Sequence, residues 1–167
     1  MMEDIIYETE IIKLILTYSP IDVASCLEWA KHPKAGAISS FIGTTRDNFD
    51  GKNVLNLEYT SYREMAIKEM NKLCLQAIEE YSNFVKPSSC CSSSSDQVQM
   101  LENKVKKIIV VHRLGKVGIK EESILIAVST PHRELGLKAC QFLIDQIKVK
   151  VPIWKKEVLE DGDKLWK

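Results

Sequence analysis

Three groups of residues carry the side chains that an anionic substrate would need. Arg46 closes the run Gly43-Thr44-Thr45-Arg46, just past a strand-like stretch from Ala35 to Gly43. An arginine at a strand end can fork onto a phosphate or carboxylate, or it can lie solvated on its loop. His132-Arg133 stands where a long helical pattern begins, and unpaired N–H groups with the positive end of the helix dipole favour an anion there. The plainer alternative is a histidine that helps to cap its helix. Lys148, Lys150, Lys155 and Lys156 gather around Val151-Pro152. Lysines at a helix C-terminus complement the dipole and can stay solvated. With Pro152 and Trp154 stiffening and walling the segment, they could instead steer an anion and transfer protons. His112 falls late in a strand and reads as a packed or edge histidine. No Ser-His-Asp or Cys-His arrangement stands out, and no His, Cys and carboxylate spacing suggests a metal.

The elements that must hold these residues follow from periodicity and punctuation. Ile11 to Thr17 reads as a strand. Ser19-Pro20 then offers a cap followed by a proline in the first turn, predicting a helix from about Pro20 to Lys31. Ala35 to Gly43 is a second strand, and Leu55, Leu57 and Tyr59 alternate as in a half-buried third. Ser61-Tyr62-Arg63-Glu64 has the form of a capping box. The helix it opens turns Ala66, Met70, Leu73, Cys74, Ala77, Ile78 and Tyr81 inward. Lys107 to Arg113 and Ser123 to Ser129 are strands, joined through turns at Gly115 and Gly118. Thr130-Pro131 repeats the cap-plus-proline signal for a helix with Leu135, Ala139, Phe142, Leu143 and Ile147 inward. Pro152 stops it, and Ile153 to Val158 is a short strand. The order β-α-β-β-α-β-β-α-β predicts a mixed α+β domain. No glycine-rich fingerprint follows any strand, which sets aside dinucleotide and P-loop readings.

Composition narrows the class. The 167 residues, 45% hydrophobic and 28% charged, fit a single globular domain over 1–167. Lys+Arg and Asp+Glu both number 23, so overall charge gives no reason to expect nucleic acid or a membrane surface. The start Met1-Met2-Glu3-Asp4 is acidic and the apolar runs are short, so a cytosolic protein is the expectation. Five cysteines at irregular spacing suit neither a disulfide framework nor a zinc site. Cys26, Cys74 and Cys140 lie in helical patterns and read as buried apolar thiols. The serine-rich tract at about 87–99, which holds Cys90-Cys91, is too polar to order itself and is expected to be a disordered surface loop.

Four motifs resemble one family. They are Phe41-Ile42-Gly43-Thr44-Thr45-Arg46, Val111-His112-Arg113-Leu114-Gly115, Ser129-Thr130-Pro131-His132-Arg133 and Lys148-Val149-Lys150-Val151-Pro152-Ile153-Trp154-Lys155-Lys156-Glu157. The last is similar to the K-x-[KR]-x-P-[FIL]-W-K-[KR]-E signature of the large, catalytic subunit of molybdopterin synthase. The likeness runs from about Ile11 to Gly162, apart from the serine tract. It implies an α/β-hammerhead-type domain with a mixed, largely antiparallel sheet. It also implies a homodimeric core within a heterotetramer, each copy binding a small ubiquitin-like sulfur carrier whose C-terminal Gly-Gly ends in a thiocarboxylate. The implied activity is that of a sulfurtransferase converting cyclic pyranopterin monophosphate to molybdopterin, without cofactor or metal. Carried over by motif, Lys148 and Lys155 are catalytic and also bind substrate, with Thr44, Thr45, Arg46, His132, Arg133, Lys156 and Glu157. Relatives often carry a further basic residue in a longer tail, a place that Lys164 or Lys167 could take.

Two rivals differ in what they require. An adaptor that only docks a ubiquitin-like tail would not need Arg46, His132 and both lysines together. A phosphate-processing hydrolase would need a water activator or metal site that the sequence does not display. One geometric expectation follows from the site that the resemblance implies. His132 and Lys148 are 16 residues apart on one predicted helix, or roughly 24 Å at 1.5 Å per residue. A single pterin cannot touch both, so a shared pocket would have to draw them from two copies of the chain.

Overall fold

The computed structural model describes residues 3–49, 51–82 and 104–160, and the backbone of 164–166. Its elements are β1 (Ile5–Glu8), β2 (Ile12–Thr17), α1 (Val23–Ala30), β3 (Ala37–Thr44), β4 (Asn48–Phe49), β5 (Lys52–Ser61) and α2 (Arg63–Ser82). They continue as β6 (Lys107–Arg113), β7 (Gly115–Gly118), β8 (Glu122–Thr130), α3 (Arg133–Lys150), β9 (Ile153–Leu159) and β10 (Lys164–Trp166). The expected serine-rich loop lies outside the described residues.

The larger sheet has the order β1-β2-β6-β8-β3, with β2 and β6 parallel and the other neighbours antiparallel. Its central strands are buried on both faces, which is why their sequences are near-continuous apolar runs. Ile108, Val110, Ile124, Ile126 and Val128 point to the side covered by α2 and α3. Ile109, Val111, Leu125 and Ala127 point to the other side, against α1. Each fully buried Leu or Ile there contributes roughly 1.5–3 kcal/mol. Helices α2 and α3 pack together partly through Tyr81 and Phe142, whose rings meet edge to face at 5.9 Å. The second sheet, β10-β9-β5-β4 with β7 also on β5, is antiparallel throughout. The mixed α+β architecture is therefore the expected one.

Several local expectations are corrected. Asp22, not Ser19, caps α1: its carboxylate accepts from the Ser25 amide at 3.0 Å and the Ser25 hydroxyl at 2.6 Å. Ser61 remains in β5 and donates to the Pro152 carbonyl at 3.1 Å, so the capping box does not form and α2 begins at Arg63. The third helix starts at Arg133, because Thr130 is still paired in β8 and its hydroxyl donates to the His132 carbonyl at 2.9 Å. Gly115 to Gly118 is a strand on β5 rather than a pair of turns. Along β5, a register shift between Val54 and Asn56 breaks the alternation. Leu55 is therefore exposed while Leu57 is buried.

Candidate functional site

A cavity of about 580 Å³ opens where the helix-covered face of the larger sheet runs past α3 and meets the second sheet. The larger sheet supplies Phe41, Gly43, His112, Ser123 and Ile124; the second sheet supplies Leu57, Tyr59, Ile153, Lys155 and Glu157; the last turns of α3 supply Ile144, Ile147 and Lys148. Strand register explains the company. Gly43, Ile124 and His112 are cross-strand partners on one face, as are Lys155 with Tyr59 and Glu157 with Leu57 on the other sheet. A Cβ at Gly43 would lie 2.8 Å from the Ile124 side chain. Glycine there lets the strands close without narrowing the cavity.

The two lysines converge because the turn between α3 and β9 is pinned. Val151 caps α3 through an N–H donated to the Ile147 carbonyl at 3.1 Å. The Pro152 carbonyl then accepts from the Tyr62 amide and the Ser61 hydroxyl. Those bonds turn β9 back along β5, so that Lys148 at the helix end and Lys155 on the strand reach one space. Lys148 Nζ lies 5.8 Å from the centre of the Phe41 ring, within cation–π reach. Lys155 Nζ is 2.7 Å from Glu157 Oε1. Glu157 is 3% exposed, and its Oε2 is buried with no hydrogen-bond partner among the described residues. A carboxylate so placed fixes Lys155 and keeps one acceptor unspent.

Arg46 is held from behind. The β3–β8 register shifts between Gly43 and Thr44, and the Ser123 hydroxyl donates to the Gly43 carbonyl at 3.1 Å beside the shift. The extra residue is Ser123 on β8; Thr44 still pairs with Glu122 beyond the shift, and Thr44 and Arg46 line the cavity. The Thr45 amide donates to the Glu121 carbonyl and the Lys120 amide to the Thr45 carbonyl, tying the Arg46 loop to the β7–β8 turn. That turn is anchored in its own right. Glu121 Oε2 accepts from the Gly118 amide at 2.7 Å and lies 3.0 Å from Arg113 Nη1. The Gly118 N–H, and after it the Arg113 charge, hold the Glu121 carboxyl below the usual range.

Of the residues named from sequence, Thr44, Arg46, Lys148, Lys155 and Glu157 line the cavity. Thr45 is buried behind them. Lys156 points to the opposite face of β9, its Nζ 3.6 Å from Glu58. His132 and Arg133 are exposed at the far end of α3. His132 occupies the N-cap position, and its side chain makes no capping bond. Trp154, expected to wall the segment, alternates outward and is 48% exposed.

The sequence assigns Tyr59 no site role, and His112, expected there to be a packed or edge histidine, is buried; the two rings meet edge to face at 4.9 Å inside the cavity. Burial raises the Tyr59 phenol, with Ser123 pulling it back and the Glu157 charge adding to the rise. Burial lowers His112 to about 4, against a smaller upward pull from the Arg113 carbonyl. Cys26, Cys74 and Cys140 are buried and none lines the cavity. Among the described residues no group of three His, Cys, Asp or Glu side chains could hold a metal.

Comparison with known proteins meets this geometry from outside. The family model described as MoaE protein matches residues 16–150. The molybdopterin synthase catalytic subunit 1 of Aedes aegypti is 41% identical over 150 residues, 90% of this chain and 83% of that protein. The crystal structure of molybdopterin synthase from Staphylococcus aureus superposes with a TM-score of 0.73 at 30% identity, covering 91% of this chain and 94% of the other. A complex of subunits 1 and 2 of molybdopterin-converting factor from Helicobacter pylori shares the fold, with a TM-score of 0.64 at 20% identity over 92% of this chain and 88% of that one. On the matched family and the shared fold, the chain belongs to the MoaE family, the family of molybdopterin synthase catalytic subunits.

Proposed function

We propose that this chain is a sulfurtransferase whose cavity takes cyclic pyranopterin monophosphate and the thiocarboxylated Gly-Gly tail of a small ubiquitin-like carrier, and makes molybdopterin. The observation that carries the reading is the convergence of Arg46, Lys148 and Lys155 on one cavity walled by Phe41, Phe49 and Tyr59. Flat apolar walls suit a ring system, and three cations suit a phosphate and a thiocarboxylate. The Helicobacter pylori complex, by its description, pairs two subunits of one factor. That supports a small protein partner here.

Sulfur comes from the carrier in this scheme. Burial pushes the Cys74 thiol up to about 12 and the Cys140 thiol up to about 11, so neither offers a thiolate at neutral pH. Arg46 binds the cyclic phosphate and, as its ring opens, stabilises the charge that develops. Lys148 and Lys155 steer the thiocarboxylate and move protons, with Glu157 fixing Lys155. Two sulfurs per product require two deliveries.

His132 and Arg133 enter from a second copy of the chain. Their distance along α3 from Lys148, roughly 24 Å, keeps them out of the cavity of their own copy. In a homodimer, His132 orients the pterin and Arg133 adds a second cation for its phosphate. Two such copies with two carriers form a heterotetramer, placed in the cytosol. The test is reconstitution: the chain, a thiocarboxylated carrier and the cyclic pterin are mixed and dithiolene product is assayed. Product in proportion to carrier consumed supports the reading, whereas carrier binding without product makes the chain an adaptor.

A further inference from the structure

His112 is a histidine that the proposed chemistry leaves unused, yet its ring lines the cavity. It belongs to the face of β6 that carries Ile108 and Val110 beneath the helices, one residue before the strand ends. The side chain is held on two sides. Nδ1 lies 2.8 Å from the Arg113 carbonyl oxygen, which can only accept, so Nδ1 carries the hydrogen and Nε2 carries the lone pair. The Tyr59 ring meets the imidazole edge to face at 73° and 4.9 Å. Among the described residues no protein group hydrogen-bonds Nε2. Burial keeps the ring neutral at pH 7. The cations lining this space, Arg46, Lys148 and Lys155, are donors only, and the one carboxylate beside them, Glu157, already spends Oε1 on Lys155. A ligand that satisfies them with its anionic groups still has its own N–H donors to place.

We propose that His112 is a ligand-binding residue whose Nε2 accepts a hydrogen bond from an N–H of the molecule in the cavity. The inference rests on the functional reading above, and two ligands of that reading carry the chemistry. A reduced pterin has ring and amino N–H groups, and the carrier's Gly-Gly tail has backbone N–H groups.

The experiment titrates the wild-type chain, labelled with ¹⁵N-histidine, separately with the cyclic pterin and with the carrier. It follows Nε2 of His112, with His112→Gln providing the assignment. An upfield move of the unprotonated Nε2 signal with one ligand identifies the donor and supports the proposal. A parallel binding series uses His112→Asn and His112→Gln. The amide of Gln can reach the Nε2 position, whereas that of Asn replaces only Nδ1. His112→Asn is expected to weaken the donor ligand about five- to tenfold, and His112→Gln to restore most of it. If wild-type protein binds both ligands and turns over while Nε2 stays unmoved, the proposal is overturned and the functional reading stands. If wild-type protein binds neither, the functional reading falls and takes the proposal with it.

Discussion

Lowering the pH from 7.5 to 5 should cost this fold stability through one buried ring. His112 is held near pKa 4 in the folded chain by burial, against about 6.5 when the chain unfolds. Between those values the unfolded state binds more protons, so stability rises with pH. The contribution is fully present above pH 6.5, erodes as pH falls, and is gone below pH 4. The gap of about 2.5 units sets a ceiling of about 3 kcal/mol at 1.36 kcal/mol per unit, of which about 2 kcal/mol is lost by pH 5. Urea unfolding followed by tryptophan fluorescence at fixed protein concentration measures it, since dimerisation would make stability concentration-dependent. Carboxylates also titrate across this range, so the informative quantity is the difference between wild type and His112→Gln. Gln has no proton to gain, and the difference should shift by about 2 kcal/mol in its favour between pH 7.5 and pH 5. Parallel pH profiles for the two proteins would refute the assignment of a buried neutral histidine.

Other perturbations follow from packing and charge. Gly136→Ala puts a Cβ 2.7 Å from Ser39 Oγ and 2.8 Å from Thr130 Oγ1. The overpacking should exceed the roughly 1 kcal/mol of helix propensity gained, for a net loss of about 1 kcal/mol read as a lower Tm. Glu157→Ala leaves Lys155 without its 2.7 Å partner. Because Lys155 is about one-third exposed, the expected loss is about 2 kcal/mol, below that of a fully buried pair, and urea midpoints measure it. If the proposed dimer shares its pockets, His132→Ala and Lys148→Ala chains, each nearly inactive alone, should recover about a quarter of wild-type activity after mixing and subunit exchange, because half of the dimers would be hybrids with one intact pocket. No recovery once exchange has been demonstrated would remove the shared pocket.

Much of the frame was legible because burial writes itself into periodicity. Lys107–Arg113 appears as read, and Ile109 and Val111 on one face with Ile108 and Val110 on the other explain why that run shows no alternation. Helix α2 buries Ala66, Met70, Leu73, Cys74 and Ala77 as their spacing requires. Caps were less legible. Ser61 and Thr130 have the chemistry of helix caps, but each is retained by a strand, and tertiary pairing outweighs a local preference worth about 1 kcal/mol. The short strands β1, β4, β7 and β10 carry too few residues to display a period. Within the site, Arg46, Lys148 and Lys155 could be named from their motifs. Tyr59 lies in no motif and His112 lies in one without a site role; a strand tyrosine and a strand histidine look the same whether they face a core or a cavity. Only the register of β5 against β9, and of β6 against β8, brings them to the lysines.

In the proposed function Lys148 and Lys155 act on sulfur transfer within the cavity instead of merely holding the carrier. Single-turnover transfer from thiocarboxylated carrier to the cyclic pterin, measured for Lys148→Ala and Lys155→Ala beside carrier affinity, separates the two roles. Each variant is expected to fold, to bind carrier within about threefold of wild type, and to transfer sulfur about a hundredfold more slowly. Wild-type transfer rates in both variants would take the chemistry away from these lysines.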